Sequence, residues 1–220
     1  MRDRFADVRY EVWFHARRMW EAGLVAGSSG NVSRRVPDEP NLIAITPTSV
    51  PYDDMSASQI VVAGLATGES IESKEPPSYE LPMHRVIYGE MPNVAAIVHT
   101  HSPFATTLSI LRRPLPPVLD EMIVHFGGTI EVADYAFTGS EALGHNAVRA
   151  LGDRPAALLA SHGDVCVASN LSTALNIAIA MEAAARVYVQ ALQIGEPVPL
   201  PESALEAGRR LFEMRRNDRS

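Results

Sequence analysis

The segment Ala95-Ala96-Ile97-Val98-His99-Thr100-His101 places two histidines at the end of an uncharged, apolar run. Such a run reads as a buried strand. Side chains alternate faces along a strand, so residues two apart share a face with Cα atoms roughly 6.5–7 Å apart. Two imidazoles can therefore converge on one cation. A third histidine, His162, follows a second uncharged run, Ala156 to Ser161. A His-x-His pair taken alone also suits a solvated strand face, but buried strands seldom end in histidines without partners, because a desolvated ring nitrogen is costly. The chain is thereby constrained to a sheet that gathers His99, His101 and His162 at one end. Three neutral nitrogen ligands with a fourth position open form the arrangement of a catalytic zinc site rather than a structural one.

With 220 residues, 46% of them hydrophobic, the chain can bury one substantial core, so a single domain over 1–220 is expected, with 196–220 as a C-terminal helical tail. The net charge of −7, with arginines spread along the chain in singles and pairs up to the tail's Arg209-Arg210 and Arg215-Arg216, disfavours nucleic acid as a partner. Uncharged stretches are interrupted by Pro, Gly or Asn and fall short of the roughly 20 apolar residues of a membrane span. Met1-Arg2-Asp3-Arg4 leads into an amphipathic pattern instead of a signal-peptide core, so no membrane partner and a cytoplasmic location are expected. The single cysteine, Cys166, excludes an intrachain disulfide and reads as a small core residue. Lys74, the only lysine, lies in the charged stretch Glu72-Ser73-Lys74-Glu75-Pro76-Pro77. A Schiff-base lysine must be desolvated, which disfavours covalent carbonyl chemistry through lysine.

Phe5, Val8, Val12, Ala16 and Met19 recur at helical spacing and Gly23 follows as a stop, which predicts an opening helix. A glycine-containing stretch, Gly27 to Ser33, then leads to strand signals that dominate residues 31 to 72, with a hairpin of Ile60-Val61-Val62 and Glu69-Ser70-Ile71. Pro77-Ser78-Tyr79-Glu80 opens a second helix with Ser78 as N-cap, ending at Gly89. The His99 strand follows, then a helix from Pro103, stopped at Pro114-Leu115-Pro116-Pro117. After the short apolar run Met122-Ile123-Val124 and Gly127-Gly128 comes a strand around Ile130-Glu131-Val132, then a helix from Ser140 to Leu151. The His162 strand precedes an Ala-rich helix from Ser172 to Leu192 and a tail helix from Glu202 to Arg215. These elements describe a mixed α/β domain whose sheet is covered by helices.

Gly30-Asn31-Val32-Ser33, Thr46-Pro47-Thr48, Pro77-Ser78-Tyr79-Glu80, His99-Thr100-His101, Gly127-Gly128 and His162-Gly163 occur in the order found in one known family. The chain resembles the class II aldolase/adducin family from its opening helix to Pro197. The resemblance implies a three-layer α/β/α sandwich around a mixed, largely antiparallel sheet. It implies one Zn²⁺ per chain, with Mn²⁺ or Fe²⁺ as alternatives, held by His99, His101 and His162, and it places the family's catalytic acid on Glu80. It also implies a homotetramer with active sites at subunit boundaries. A carboxylate near a divalent cation can exchange a proton with substrate; the plainer reading of Glu80 is a first-turn charge on the helix dipole.

By the same resemblance Gly30, Asn31, Thr48, Ser49, Ser78 and Tyr79 line the pocket for a substrate phosphate. Backbone amides in a glycine-containing turn suit a dianion; an ordinary turn is the other reading. Two positions depart from the aldolase pattern: Ser49 follows Thr48 where those enzymes have Gly, and Tyr79 stands where they have Ser. The tyrosine makes a carboxylate or an uncharged group an alternative to phosphate. Glu121 falls near a functional tyrosine of fuculose-phosphate aldolase, and either acts as a second acid or faces solvent. Phe212 is the nearest counterpart of the aromatic in the aldolases' C-terminal tail. His15, His84, His125 and His145 read as structural. The expected reaction is cleavage of a small ketose 1-phosphate to dihydroxyacetone phosphate and an aldehyde through an enediolate. The alternatives are a metal-dependent decarboxylase of a keto or hydroxy acid, a sugar-phosphate 4-epimerase, and a silent adducin-like interaction module.

Overall fold

The computed structural model describes residues 3–217. Helix α1 (Ala6–Glu21) buries Val8, Val12, Ala16 and Met19, the face its periodicity predicts. Strands β1 (Asn31–Val36), β2 (Glu39–Ile45), β3 (Val61–Gly64) and β4 (Ser70–Ile71) follow as an antiparallel series. After α2 (Leu81–Glu90) the chain enters β5 (Ala96–Thr100), then α3 (Pro103–Ile110), α4 (Asp120–Phe126) and β6 (Val132–Ala133). Helix α5 (Glu141–Leu151), strands β7 (Ala156–Leu159) and β8 (Gly163–Ala168), and helices α6 (Leu171–Ile194) and α7 (Glu202–Asn217) complete it. The eight strands form one sheet in the order β4-β3-β2-β1-β5-β8-β7-β6, in which only β6 and β7 pair in parallel.

Strand alternation divides the apolar residues between two cores. Val32, Ala44, Val62, Ala96, Val98, Leu158 and Cys166 join α1, α3, α4 and α6 on one face. Ile43, Ile45, Val61, Ala63, Ile97, Leu159, Val165 and Val167 join α2 and α5 on the other. Helices thus cover both faces of the sheet, and β5, buried along its whole length, lies between β1 and β8. Helix α6 alone among the described residues has the length and hydropathy to cross a membrane. It packs on β5 and β8, with Leu171, Leu175, Ala178, Met181 and Ala185 in the core.

Several boundaries differ from the sequence reading. Helix α2 starts at Leu81, with Glu80 rather than Ser78 at the N-cap; Ser78 Oγ accepts from Glu80 N–H at 3.3 Å and holds the residue ahead of the helix. The run Met122-Ile123-Val124 lies in helix α4, which Gly127 ends in the left-handed region at φ 77°. Ile130 bridges Leu115 outside the sheet, so the short strand β6 begins at Val132. His162 ends no strand: it lies in the tight turn joining β7 to β8, a hairpin that the apolar pattern alone presents as one strand. Helix α6 begins at Leu171, where the Asn170 side chain accepts from Thr173 N–H at 2.8 Å.

Candidate metal centre

Two strand ends and one helix start meet at a single point. Asn31 of β1 is opposite His99 of β5, and Thr100 is opposite Asp164 of β8, so the β7–β8 turn is carried to the end of β5. Both approaches depend on glycine. A Cβ at Gly163 would lie 2.1 Å from the Thr100 carbonyl oxygen, and one at Gly30 would lie 2.6 Å from that of His99. Gly30 also takes φ 71°, a region that strains other residues.

The imidazoles of His99, His101 and His162 form a propeller, with ring centroids 4.8–4.9 Å apart and ring planes crossing at 68–72°. Glu80 closes its open side: Oε2 is 2.9 Å from His99 Nε2 and Oε1 is 3.1 Å from His162 Nε2. One ligand atom from each of these residues lies within 4.8 Å of all the others. The donor set suits a divalent cation. His99 is fully buried and gives its Nδ1–H to the Asp164 backbone carbonyl at 2.7 Å, which turns Nε2 inward to face His101 Nε2 at 3.1 Å. Three ring nitrogens converging this closely repel unless a cation or proton lies among them.

The electrostatics of these four side chains follow from this crowding. Burial alone would raise the Glu80 carboxyl, but the His99 charge and the N–H donors of His162 and His99 together hold it well below the usual carboxylate range. Burial disfavours the charged form of His99, yet the adjoining Glu80 carboxylate raises its pKa above the ordinary value. His101 falls to about 3 through burial and the charges of His99 and His162. Proton and metal therefore compete for the same nitrogens.

Residues outside the sequence expectation complete the surroundings. Asp164 is buried and accepts from Thr100 Oγ1 at 2.5 Å and Ser102 Oγ at 2.9 Å; burial pushes its carboxyl up to about 6 against those hydroxyl bonds. Thr138 Oγ1 donates to Glu80 Oε1 at 2.8 Å, and Asn31 Nδ2 donates to Glu80 Oε2 at 2.9 Å. Neither Thr138 nor Asp164 carries a local motif. His84, read from the sequence as structural, bonds the Asn31 side chain at 2.5 Å and so belongs to this network.

Other expected site residues fall around it. Ser78 N–H donates to Thr46 O and Thr48 N–H to Pro76 O, which joins the two segments that carry Thr48 and Ser78. Tyr52 OH donates to the carbonyls of Ser29 and Gly30 at 3.1 and 2.8 Å and steadies that loop. The Asn31 side chain is committed to Glu80 and His84. Ser49 takes φ 59°, which accounts for glycine at the matching position of the aldolase pattern. Tyr79 is 62% exposed and its ring lies on Gly139, where a Cβ would stand 2.2 Å from it. Glu121 is exposed in the first turn of α4 and outside the group formed by Glu80 and the three histidines. Phe212 packs on Gly127 where α7 meets α4.

Residues 11–189 match the family model described as the class II aldolase and adducin N-terminal domain. The chain belongs to this family. Within it, the chain is 36% identical over 205 residues to a 5-deoxy-D-ribulose 1-phosphate aldolase of Bacillus thuringiensis serovar kurstaki, covering 93% of this chain and 95% of that protein. It is 37% identical over 182 residues to an L-fuculose phosphate aldolase of Escherichia coli, covering 83% and 82%. A solved L-fuculose 1-phosphate aldolase superposes with a TM-score of 0.88 at 36% identity, over 97% of this chain and 98% of that one. The class II aldolase fold, with its single mostly antiparallel sheet, is thus the architecture of this protein, and its family members include aldehyde-lyases.

Proposed function

We propose that the protein cleaves a small ketose 1-phosphate to dihydroxyacetone phosphate and an aldehyde. The observation that carries this reading is the propeller of three histidines with the Glu80 carboxylate wedged against its open side. A divalent cation, Zn²⁺ in this proposal, held by His99, His101 and His162 would supply Lewis acidity toward the substrate oxygens that gain charge as the carbon–carbon bond breaks. The electron pair left on the phosphate-bearing half must be collected as a C–H bond. Among the described residues, Glu80 is the carboxyl grouped with the three histidines, and it exchanges that proton. Asn31 and Thr138 orient it, one on each oxygen.

The substrate phosphate is assigned to the Gly30 and Asn31 amides with Thr48, Ser49 and Ser78, the last three on segments joined by the Thr46–Ser78 and Pro76–Thr48 backbone bonds. The Tyr79 ring lies against Gly139, and relatives named as aldolases of phosphorylated sugars support a phosphate rather than a carboxylate there. Relatives named as ketose-phosphate aldolases favour cleavage over decarboxylation or 4-epimerisation, and three histidines with a glutamate argue against a silent interaction module. The proposal extends to one domain over the whole chain, a cytoplasmic location, and a homotetramer whose neighbour completes the site, Glu121 being the residue of this chain assigned to a second acid role.

A substrate screen tests this reading. 5-Deoxyribulose 1-phosphate and fuculose 1-phosphate, each with its unphosphorylated form, are followed for triose release with and without chelator. Release from a phosphorylated ketose, lost on chelation and inhibited by millimolar inorganic phosphate, is expected. Release from unphosphorylated ketoses alone, with no competition by phosphate, contradicts it.

A further inference from the structure

Glu80, His84 and Tyr88 recur every four residues from the N-cap of α2 onward, and Asn31 and Ser33 alternate along β1. Both spacings put their members on one face. The two faces meet in an unbroken buried chain. Tyr88 OH is 2.8 Å from Ser33 Oγ, Ser33 Oγ is 2.6 Å from His84 Nδ1, and His84 Nε2 is 2.5 Å from Asn31 Oδ1. Asn31 Nδ2 is 2.9 Å from Glu80 Oε2.

Donor and acceptor roles along this chain follow from its last member. An ionised carboxylate only accepts, so the Asn31 amide must present NH2 to Glu80 and its carbonyl to His84. That carbonyl requires a donor, which places the His84 proton on Nε2 and leaves Nδ1 to accept from the Ser33 hydroxyl. Ser33 then accepts from Tyr88. Every proton points toward Glu80. His84, Ser33 and Tyr88 are 0, 0 and 1% exposed, and burial lowers the His84 pKa to about 3, so the ring stays neutral and keeps one tautomer. A core needing only bulk would not bury three polar side chains at this desolvation cost.

We infer that His84 is a positioning residue for Glu80: through its Nε2–H it holds the Asn31 amide in the orientation that donates to the carboxylate. The inference rests on the proposed proton exchange at Glu80. Without His84 the amide is free to turn its oxygen toward the carboxylate, which repels Glu80 from its place. An effect exerted this way appears in kcat and disappears when Glu80 is already neutral.

A double-mutant cycle with His84→Leu, which fills the volume without a donor, and Glu80→Gln tests this on the zinc-loaded enzyme. His84→Leu is expected to lower kcat roughly 10–100-fold, the usual cost of an outer-shell partner, with KM little changed. It should add no further loss in the Glu80→Gln background, and His84→Gln, which restores a donor near the Nε2 position, should recover most of the rate. An equal loss in both backgrounds, or none in either, overturns the role of His84 and leaves Glu80 in place. Full turnover in Glu80→Gln alone overturns the Glu80 reading and the inference with it. Nitrogen NMR of the metal-free wild-type protein decides independently should a variant fail to fold. Protonation of His84 at Nε2 is expected, and protonation at Nδ1 overturns the inference.

Discussion

The candidate metal centre and the loops proposed to bind the substrate phosphate are built differently. His99 and His101 continue a strand buried along its whole length, and His162 is carried to them by a hairpin whose glycine touches the Thr100 carbonyl. The anion region consists of loop segments, residues 27–31, 46–49 and 76–79, held by backbone hydrogen bonds and by Tyr52. Departures from the aldolase pattern fall in the second region: Ser49 adopts the φ of a glycine, and the Tyr79 ring swings out onto Gly139. Strands with neighbours on both sides tolerate little change, because each side chain is packed. Loops accept substitutions whose backbone or rotamer can be accommodated. On the proposed function, chemistry is fixed by the sheet and selectivity is left to the loops.

Substitutions in the two regions should separate accordingly. His99→Ala, the most severe, should remove both metal and activity, since two nitrogens and Glu80 cannot replace the buried ligand. Elemental analysis beside an aldolase assay checks this, and an active variant retaining one equivalent of metal would break the distinction. Glu80→Gln should keep fold and metal while losing roughly 10²–10⁴-fold in rate, the worth of a positioned acid–base group. Unchanged turnover would move the proton exchange elsewhere, with Glu121 next.

Acidity offers a third handle on the sheet-borne network. His84 is held neutral by burial, with a pKa near 3 in the folded chain against 6.5 ordinarily. Its contribution to stability is therefore complete above about pH 6.5 and is lost as pH falls toward 3, at up to about 1.4 kcal/mol per pH unit. Urea unfolding of metal-free protein at pH 7 and pH 5 should show a steeper loss for the wild type than for His84→Gln, and equal slopes would contradict the burial of a neutral ring. The smallest effect is expected in the loops. Tyr79→Ser should leave kcat/KM for phosphorylated ketoses equal or slightly better, as measured by steady-state kinetics. Loss of the native reaction in this variant would place the ring in substrate recognition.

How much is legible from sequence follows the same division. The period-two histidines and the apolar runs before His99 and His162 announce the three clustered histidines, because burial and alternation are written locally. The β7–β8 turn is poorly announced: Ala160-Ser161-His162 carry no Asn-Gly or Asp-Gly pair, and Gly163-Asp164 falls inside β8 instead of in the turn, so two short strands read as one. Met122-Ile123-Val124 is too short for its helical period to show, and α4 is held by packing on α7. His84 has no partner within reach in sequence; Asn31 and Ser33 lie 53 and 51 residues away and meet it only across the α2–β1 contact. Thr138 reaches Glu80 from 58 residues away and carries no pattern of its own.

The central claim is that His99, His101, His162 and Glu80 form one divalent-metal centre that performs aldol cleavage. Titrating Zn²⁺ into chelator-stripped protein, while following dihydroxyacetone phosphate release from 5-deoxyribulose 1-phosphate or whichever ketose 1-phosphate the screen identifies, tests it most directly. Activity should start near zero, rise in proportion to bound metal and level off at about one equivalent per chain. Full activity in the stripped protein, or one equivalent of tightly bound zinc with no cleavage of any ketose 1-phosphate in the screen, would contradict it.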